Sequence, residues 1–380
     1  MTFARGFLAG SVASGLKSNG KLDLTVVQNI GPSDVAAAVF TSNRAKANPV
    51  LWSMEAIKDG AARAVVLNSG GANCYTGAVG FQVTHQSAEL VADALSISAQ
   101  DVLVCSTGLI GVQLDISKLY PGIESACNNL SAEGGAQSAL AIMTTDSIPK
   151  LSTAEAAQGW RIGAMAKGAG MLAPALATML VVITTDALID NADSHLRTAT
   201  KISFDRLDSD GCTSTNDTVV LMSSGSSGVK ADSAQFQELL NHVCLDLARQ
   251  LMKDAEGATH EIAIEVVGAA SEADALEVGR AIARNNLFKT AIYGKDANWG
   301  RILAAIGTTS ASFDPYDIDV EINGVRVCSK AGPDQDRSQV DFSGREVVIK
   351  VNLHAGIEQA TIWTNDLTQQ YVIENSEYSS

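Results

Sequence analysis

The sequence predicts an α+β fold built in layers. Strand-like and helix-like segments alternate along the whole chain, so both element types must share a core. The stretch V-E-I-N-G-V-R-V (320–327) also reads as a β-hairpin, because Asn323-Gly324 suits the positive φ angles of a type I′ turn. Hairpins make antiparallel neighbours, which excludes a purely parallel sheet. With 380 residues, 46% of them hydrophobic and 18% charged, the chain can bury one large core or two domains.

The N-terminal stretch M-T-F-A-R-G-F-L-A-G-S-V-A-S-G-L-K predicts a first strand with turns; its glycines interrupt the apolar run a signal peptide needs. Ala64–Leu67 is a short apolar strand running into a turn-rich loop, N-S-G-G-A-N-C-Y-T-G (68–77). A helical pattern covers 83–95. D-V-L-V-C-S (101–106) has the apolar character of a buried strand, and T-G-L-I-G (107–111) turns away from it. A strand-like run, M-L-V-V-I-T-T, follows Thr178. The clearest helix spans Ser233 to Lys253, where Phe236, Leu240, Val243, Leu247 and Leu251 recur at steps of three and four and so share one face. H-E-I-A-I-E-V-V (260–267) alternates as a strand does. Ser271, with Asp274 three residues later, caps the next helix. E-V-V-I-K-V-N-L (346–353) supplies a further strand. No repeat, low-complexity tract or flexible linker interrupts the chain.

The formal charge of −15 argues against a nucleic-acid or anionic-membrane partner, because phosphate binding needs clustered Lys and Arg. No apolar run approaches the length needed to cross a bilayer. The six cysteines are scattered with no C-x-x-C pair, which suits a reducing cytoplasm. The five histidines form no H-x-H or H-E-x-x-H, so the sequence predicts no metal site.

Two readings compete over K-G-A-G-M-L-A-P-A-L-A-T-M-L (167–180). Gly168, Gly170 and Ala173 fit the dinucleotide fingerprint G-x-G-x-x-A, which requires a strand before it and a helix after it. The sequence predicts neither, since no convincing strand precedes Gly168 and Pro174 follows at once. The other reading starts from Thr178. A threonine hydroxyl needs a base before it can attack a carbonyl. Cleavage between Ala177 and Thr178 would give Thr178 a free α-amine with a pKa of about 7.7–8.0, close to its own hydroxyl. Residue chemistry alone favours the simpler reading, a loop that enters a core strand whose first residue is threonine, because threonine is a common strand residue.

The surrounding blocks favour the nucleophile. K-G-A-G-M-L-A-P-A-L-A-T-M-L resembles the signature of the ornithine acetyltransferase family, the bifunctional glutamate N-acetyltransferases of arginine biosynthesis. The resemblance covers nearly the whole chain. G-F-L-A-G-S-V-A-S-G-L-K (6–17) is similar to the family's opening. Further blocks follow in order: N-S-G-G-A-N-C-Y-T-G, C-S-T-G-L-I-G (105–111), M-T-T-D-S-I-P-K (143–150), T-S-T-N-D-T-V (213–219), D-A-E-G-A-T (254–259) and K-T-A-I-Y-G-K-D-A-N-W-G-R-I-L (289–303), with N-S-E-Y-S-S (375–380) at the tail. Ala173, Ala175 and Leu176 depart from the residues common in the family, flanking the A-T-M-L core without touching it. Ser380 stands where relatives usually carry threonine.

The resemblance implies a layered sandwich of the aminopeptidase/ornithine acetyltransferase type, with N-terminal-nucleophile logic. It implies self-cleavage into an α chain (1–177) and a β chain (178–380) packed as one catalytic unit, in a heterotetramer of two α and two β chains. Thr178 would be the nucleophile of ping-pong acetyl transfer from N-acetylornithine to glutamate. Thr107 and Gly108 would form the oxyanion hole, and Thr144, Lys167, Thr178, Glu256, Asn375 and Ser380 would bind substrate. No cofactor is implied; acetyl-CoA stays open as a second acetyl donor. Three alternatives remain: an amidase or aminopeptidase of the same fold using water as acceptor, a specialised acyltransferase relative, and a non-catalytic protein that keeps the fold.

Overall fold

A computed structural model of the chain describes residues 1–170 and 179–377. Thr178, Ala177 and the departures at Ala173, Ala175 and Leu176 lie outside the described residues, as does Ser380. The chain divides into two compact units: Met1–Asp205 with Cys212–Asp254, and Arg206–Gly211 with Ala255–Tyr378.

The first unit contains, in chain order, β1 (Phe7–Val12), β2 (Leu24–Asn29), β3 (Ala36–Phe40), α1 (Asn48–Ala56), β4 (Ala64–Asn68), α2 (Gly77–Leu95), β5 (Val102–Ser106), α3 (Ile116–Asn128), α4 (Gly135–Ala141), β6 (Lys150–Glu155), β7 (Arg161–Lys167), β8 (Leu180–Thr185), α5 (Ala192–Ile202), β9 (Thr218–Ser223) and α6 (Ser233–Lys253). One sheet has the order β1-β2-β4-β5, the other β3-β9-β8-β7-β6. Both are mixed: β4 pairs β5 in parallel and β8 pairs β9 in parallel, while the other pairings are antiparallel.

The two sheets stack face to face because alternate residues of each strand are apolar on both sides. In β4, Val65 and Leu67 join Leu103, Cys105, Met165, Val182 and Val220 in a core between the sheets. Ala64 and Val66 point the other way, into a second core closed by Val83 and Val91 of α2 and Ile123 of α3. Doubly covered strands read as near-continuous apolar runs, which is why β5 was legible as a buried strand and β4 as a short apolar run. On the far side of the second sheet, α6 packs on β6 and β7. All five residues of its predicted stripe are buried.

The second unit contains β10 (Glu261–Ala269), α7 (Glu272–Ala283), α8 (Asn286–Tyr293), α9 (Trp299–Ile306), β11 (Asp319–Ile322), β12 (Val325–Ser329), β13 (Gly332–Pro333), β14 (Glu346–Asn352), β15 (Glu358–Asn365) and α10 (Gln369–Glu377). Its sheet runs β13-β12-β11-β14-β10-β15. Ile262, Ile264 and Val266 of β10 face Val278, Ile282, Phe288 and Ile302 of the three helices that follow it. The intervening β10 residues Glu261, Ala263 and Glu265 are half-buried, the signature of a sheet covered on one face.

The predicted α+β mixture is present. The hairpin turn has φ +47° at Asn323 and +82° at Gly324, as a type I′ turn requires. Ser271 accepts the Asp274 N–H at 3.1 Å and caps α7. The helix expected at 83–95 begins six residues earlier, at Gly77.

One expectation is corrected. A strand does precede Gly168: β7 ends at Lys167. Its sequence, R-I-G-A-M-A-K, is rich in the small residues that strands disfavour, and pairing with β6 on one side and β8 on the other overrides that propensity. The dinucleotide reading still fails, because β7 and β8 are antiparallel neighbours, whereas that motif needs a parallel crossover.

Leu240 is fully buried at the centre of the α6 stripe. Leu240→Ala is expected to lower unfolding stability by about 2–5 kcal/mol, read as a lower denaturant midpoint at unchanged slope.

Candidate active site

The candidate site of the first unit forms where several strands end. β5 stops at Ser106, and the next residue, Thr107, is held by two backbone bonds: its N–H donates to Asn68 O at 3.0 Å, and its carbonyl accepts the Gly71 N–H at 3.0 Å. Thr107 is buried. Gly108 follows with φ +127°, and a Cβ there would stand 2.8 Å from Gly71 N, so only glycine fits this close approach. The Gly108 N–H meets no acceptor among the described residues.

Side chains from separate blocks knit this corner together. Ser106 Oγ donates to Asn68 Oδ1 at 2.6 Å, and Asn68 Nδ2 donates to Gly71 O at 3.0 Å. Asn216 Nδ2 donates to both Ala72 O at 2.6 Å and Ser106 O at 2.8 Å. Buried amides placed this way satisfy carbonyls that the ending strands leave unpaired.

Lys167, the last residue of β7, reaches Thr107: its Nζ donates to Thr107 Oγ1 at 3.3 Å. An ammonium can only donate, so the threonine oxygen accepts and its own O–H is released for another acceptor. The lysine is almost wholly buried, and Asp146 is the carboxylate beside it. Asp146 accepts the Gly168 N–H at 2.6 Å, the Thr144 N–H at 2.9 Å and Lys150 Nζ at 2.6 Å. Lys150 in turn donates to Asp254 at 2.6 Å. Burial alone would raise the Asp146 pKa; the charges of Lys167 and Lys150 and the Gly168 N–H outweigh it and hold it at about 2. Lys17 donates to Met143 O at 2.6 Å and Leu22 O at 3.0 Å; burial, with Lys167 as a like charge, brings it down to about 8 against the pull of Asp23 and Asp146.

The start of β8 is anchored by Asp217, which accepts the Met179 N–H at 3.1 Å. Asp217 is completely buried.

The family model described as the ArgJ family matches residues 8–380. The chain belongs to the ArgJ family. It is 58% identical over 382 residues to the arginine biosynthesis bifunctional protein ArgJ of Streptomyces avermitilis, covering 100% of both chains. The protein of the same name from Thermobifida fusca is 57% identical over 382 residues, again covering 100% of both. Among solved structures, ornithine acetyltransferase complexed with ornithine from Mycobacterium tuberculosis is 47% identical, with a TM-score of 0.45, covering 47% of this chain and 95% of that one.

Of the residues the ArgJ resemblance singled out, the first unit brings Thr107, Gly108 and Lys167 together and ties Thr144 to them through Asp146. In the second unit, Glu256 is buried and accepts Asn375 Nδ2 at 3.0 Å. Thr178 and Ser380 lie outside the described residues. Sequence reasoning assigned no role to Asp146, Lys150, Asn216 or Asp217, although all four sit in blocks it quoted. Their only signal was a polar residue inside such a block; an ion pair or a carbonyl clamp formed by the fold leaves no spacing to read. Among the described residues no group of three His, Cys, Asp or Glu side chains could hold a metal ion, and no helix is long and apolar enough to cross a membrane.

Asp146→Asn would leave two buried ammonium groups short of a carboxylate, and is expected to cost about 3–5 kcal/mol. The Asp146 pKa falls on folding from 3.8 to about 2, so its ionisation contributes stability that is full above the ordinary value and lost as pH falls through the folded one. The gap in unfolding temperature between wild type and Asp146→Asn should stay constant above pH 4 and close toward pH 2.

Proposed function

We propose that the chain cuts itself between Ala177 and Thr178, and that Thr178 then carries an acetyl group from N-acetylornithine to glutamate. Membership of the ArgJ family makes it an acetyl-transferring enzyme of arginine biosynthesis; the residue roles that follow are the finer part of the reading. The observation that carries them is the pair at 107–108. There a hydroxyl whose oxygen already accepts from Lys167 adjoins an N–H with no acceptor among the described residues. Two donors converging from consecutive residues suit the oxygen of a tetrahedral intermediate, which forms in both cleavage and acetyl transfer.

In cleavage, the Thr178 oxygen attacks the Ala177 carbonyl carbon and the C–N bond breaks, leaving an ester and a new α-amine. Water then hydrolyses the ester, which leaves Ala177 as a carboxylate and restores the hydroxyl. The amine, with a pKa of about 7.7–8.0, takes the hydroxyl proton in each later attack. Attack on N-acetylornithine forms the acetyl-threonine ester and breaks the amide; ornithine leaves as its amine is protonated. The amine of glutamate attacks the ester, and the threonine oxygen leaves with its proton returned.

Lys167 then serves the oxyanion hole by fixing the Thr107 hydroxyl, in addition to supplying positive charge for a substrate carboxylate. In the second unit, the buried Glu256 with Asn375 offers a carboxylate suited to an ammonium group. A cut at 177–178 falls between two strands of one sheet. β7 and β8 are joined over six residue pairs, from Ile162–Thr185 to Lys167–Leu180, so the fragments would stay associated.

The test is intact mass before and after incubation with N-acetylornithine. Two fragments that co-elute under native conditions, with one acetyl group added to the fragment beginning at Thr178, are the expected result. Released acetate in place of acetylglutamate would instead favour a hydrolase. Thr178→Ala is expected to stay whole and inactive, and measurable turnover by it would refute the nucleophile. Thr107→Ala is expected to lower kcat about 10²–10³-fold, whereas a change confined to KM would place its hydroxyl on substrate instead.

A further inference from the structure

The loop between β1 and β2 holds a lysine that the mechanism above does not use. The loop is built around Asp23, which is completely buried and accepts the Ser14 N–H and O–H at 2.7 Å each and the Gly15 and Lys17 N–H groups at 3.0 Å each. Four donors on one carboxyl group fix the backbone at Lys17. The same loop lies against the corner that holds Gly108. A Cβ at Gly70 would stand 3.1 Å from the Leu16 carbonyl carbon, and a Cβ at Gly108 would stand 3.3 Å from the Gly70 carbonyl carbon. From there the Lys17 side chain reaches the residue before Thr144, where its Nζ donates to Met143 O at 2.6 Å; its other bond, at 3.0 Å, goes to Leu22 O. An ammonium has three N–H donors, so one remains, and it meets no acceptor among the described residues. Lys17 is half-buried, and the charges of Lys167 and Asp146 both act on it.

We infer that Lys17 is a specificity-determining residue, whose remaining N–H takes the side-chain carboxylate of the glutamate acceptor. The inference rests on the acetyl transfer proposed above. Glutamate brings two carboxylates to the site, whereas N-acetylornithine brings one. Lys167 answers the carboxylate that both substrates share, and a second ammonium is needed to tell the acceptor's charged side chain from a neutral one. Lys17 has the place for this, anchored beside Met143 at one end and against the Gly70 corner at the other. It also has the donor, since two backbone carbonyls leave its third N–H unspent. Its charge is the third observation. Tying two carbonyls together needs no charge, and a charge here is costly: burial, with Lys167 as a like charge, brings Lys17 down to about 8 against the pull of Asp23 and Asp146. A group at about 8 is still mostly protonated at pH 7. An ammonium held partly out of water near a second ammonium gains most when a carboxylate arrives.

The test compares wild type with Lys17→Met in the full-length chain, using glutamate and glutamine as acceptors. Thermal unfolding reports folding, intact mass reports acetylation of the fragment beginning at Thr178 by N-acetylornithine, and the acetylated acceptor reports the second half-reaction. Wild type is expected to favour glutamate over glutamine by about 10²-fold in kcat/KM, because glutamine keeps the shape and loses the charge. Lys17→Met is expected to lose about 10²-fold in kcat/KM for glutamate, mainly through KM, and no more than about threefold in the rate of acetylation by N-acetylornithine. The two acceptors then come within about threefold of each other. An unchanged preference for glutamate in Lys17→Met would overturn the inference. So would an equal loss in both half-reactions, since a lysine that only tied carbonyls together would act on both alike, and so would a wild type that uses glutamine as readily as glutamate. Should Lys17→Met fail to fold, Lys17→Gln, whose amide can still donate to a backbone carbonyl, is judged by the same outcomes. A wild type that never gains an acetyl group sinks the acetyl-transfer reading and the inference with it, while an acetylated wild type beside an unaltered preference in the variant sinks the inference only.

Discussion

Everything described at the candidate site hangs on the pairing of β7 with β8. The antiparallel register sets Lys167 opposite Leu180, which brings the end of one strand and the start of the next to the same edge of the sheet. Lys167 can therefore reach Thr107, and Met179 can meet Asp217, only because six consecutive backbone pairs fix where both strands stop. A slip of one residue would turn Lys167 to the opposite face of the sheet.

A buried lysine at that edge creates an electrostatic problem, which the neighbouring loop resolves. Asp146 meets Lys150 and the N–H groups of Thr144 and Gly168 at once, so a carboxylate that burial would otherwise neutralise stays ionised. Such a network is worth little as net stability compared with an apolar core, and costly to break once built. Its value lies in geometry, since it holds three segments of the chain in one arrangement. Asp217 shows the opposite solution a short way along the same sheet, where a carboxyl group with few donors is pushed toward its neutral form.

Much of the fold was legible in the sequence because it depends on local rules. The α6 stripe, the Asn323-Gly324 turn and the Ser271 cap each follow from spacing or from one residue's backbone preference, and each appears where expected. β7 was missed because nothing in R-I-G-A-M-A-K favours a strand until β6 and β8 flank it. At the site, Thr107, Gly108 and Lys167 were legible through the family's blocks. The partners that give them their chemistry were not, because Asp146, Asn216 and Asp217 act on groups far away in the chain.

The sequence by itself determined the element types, the turn and cap chemistry, and, through many ordered blocks, membership of one enzyme family. Only the tertiary structure decided which polar residues share an environment. Lys167 carries no mark of burial in its own segment, nor Asp217 of its tie to Met179, since both depend on strands 38 to 60 residues apart closing on each other. Local preference is written residue by residue, but the protonation and direction of a buried group are set by what the fold puts beside it.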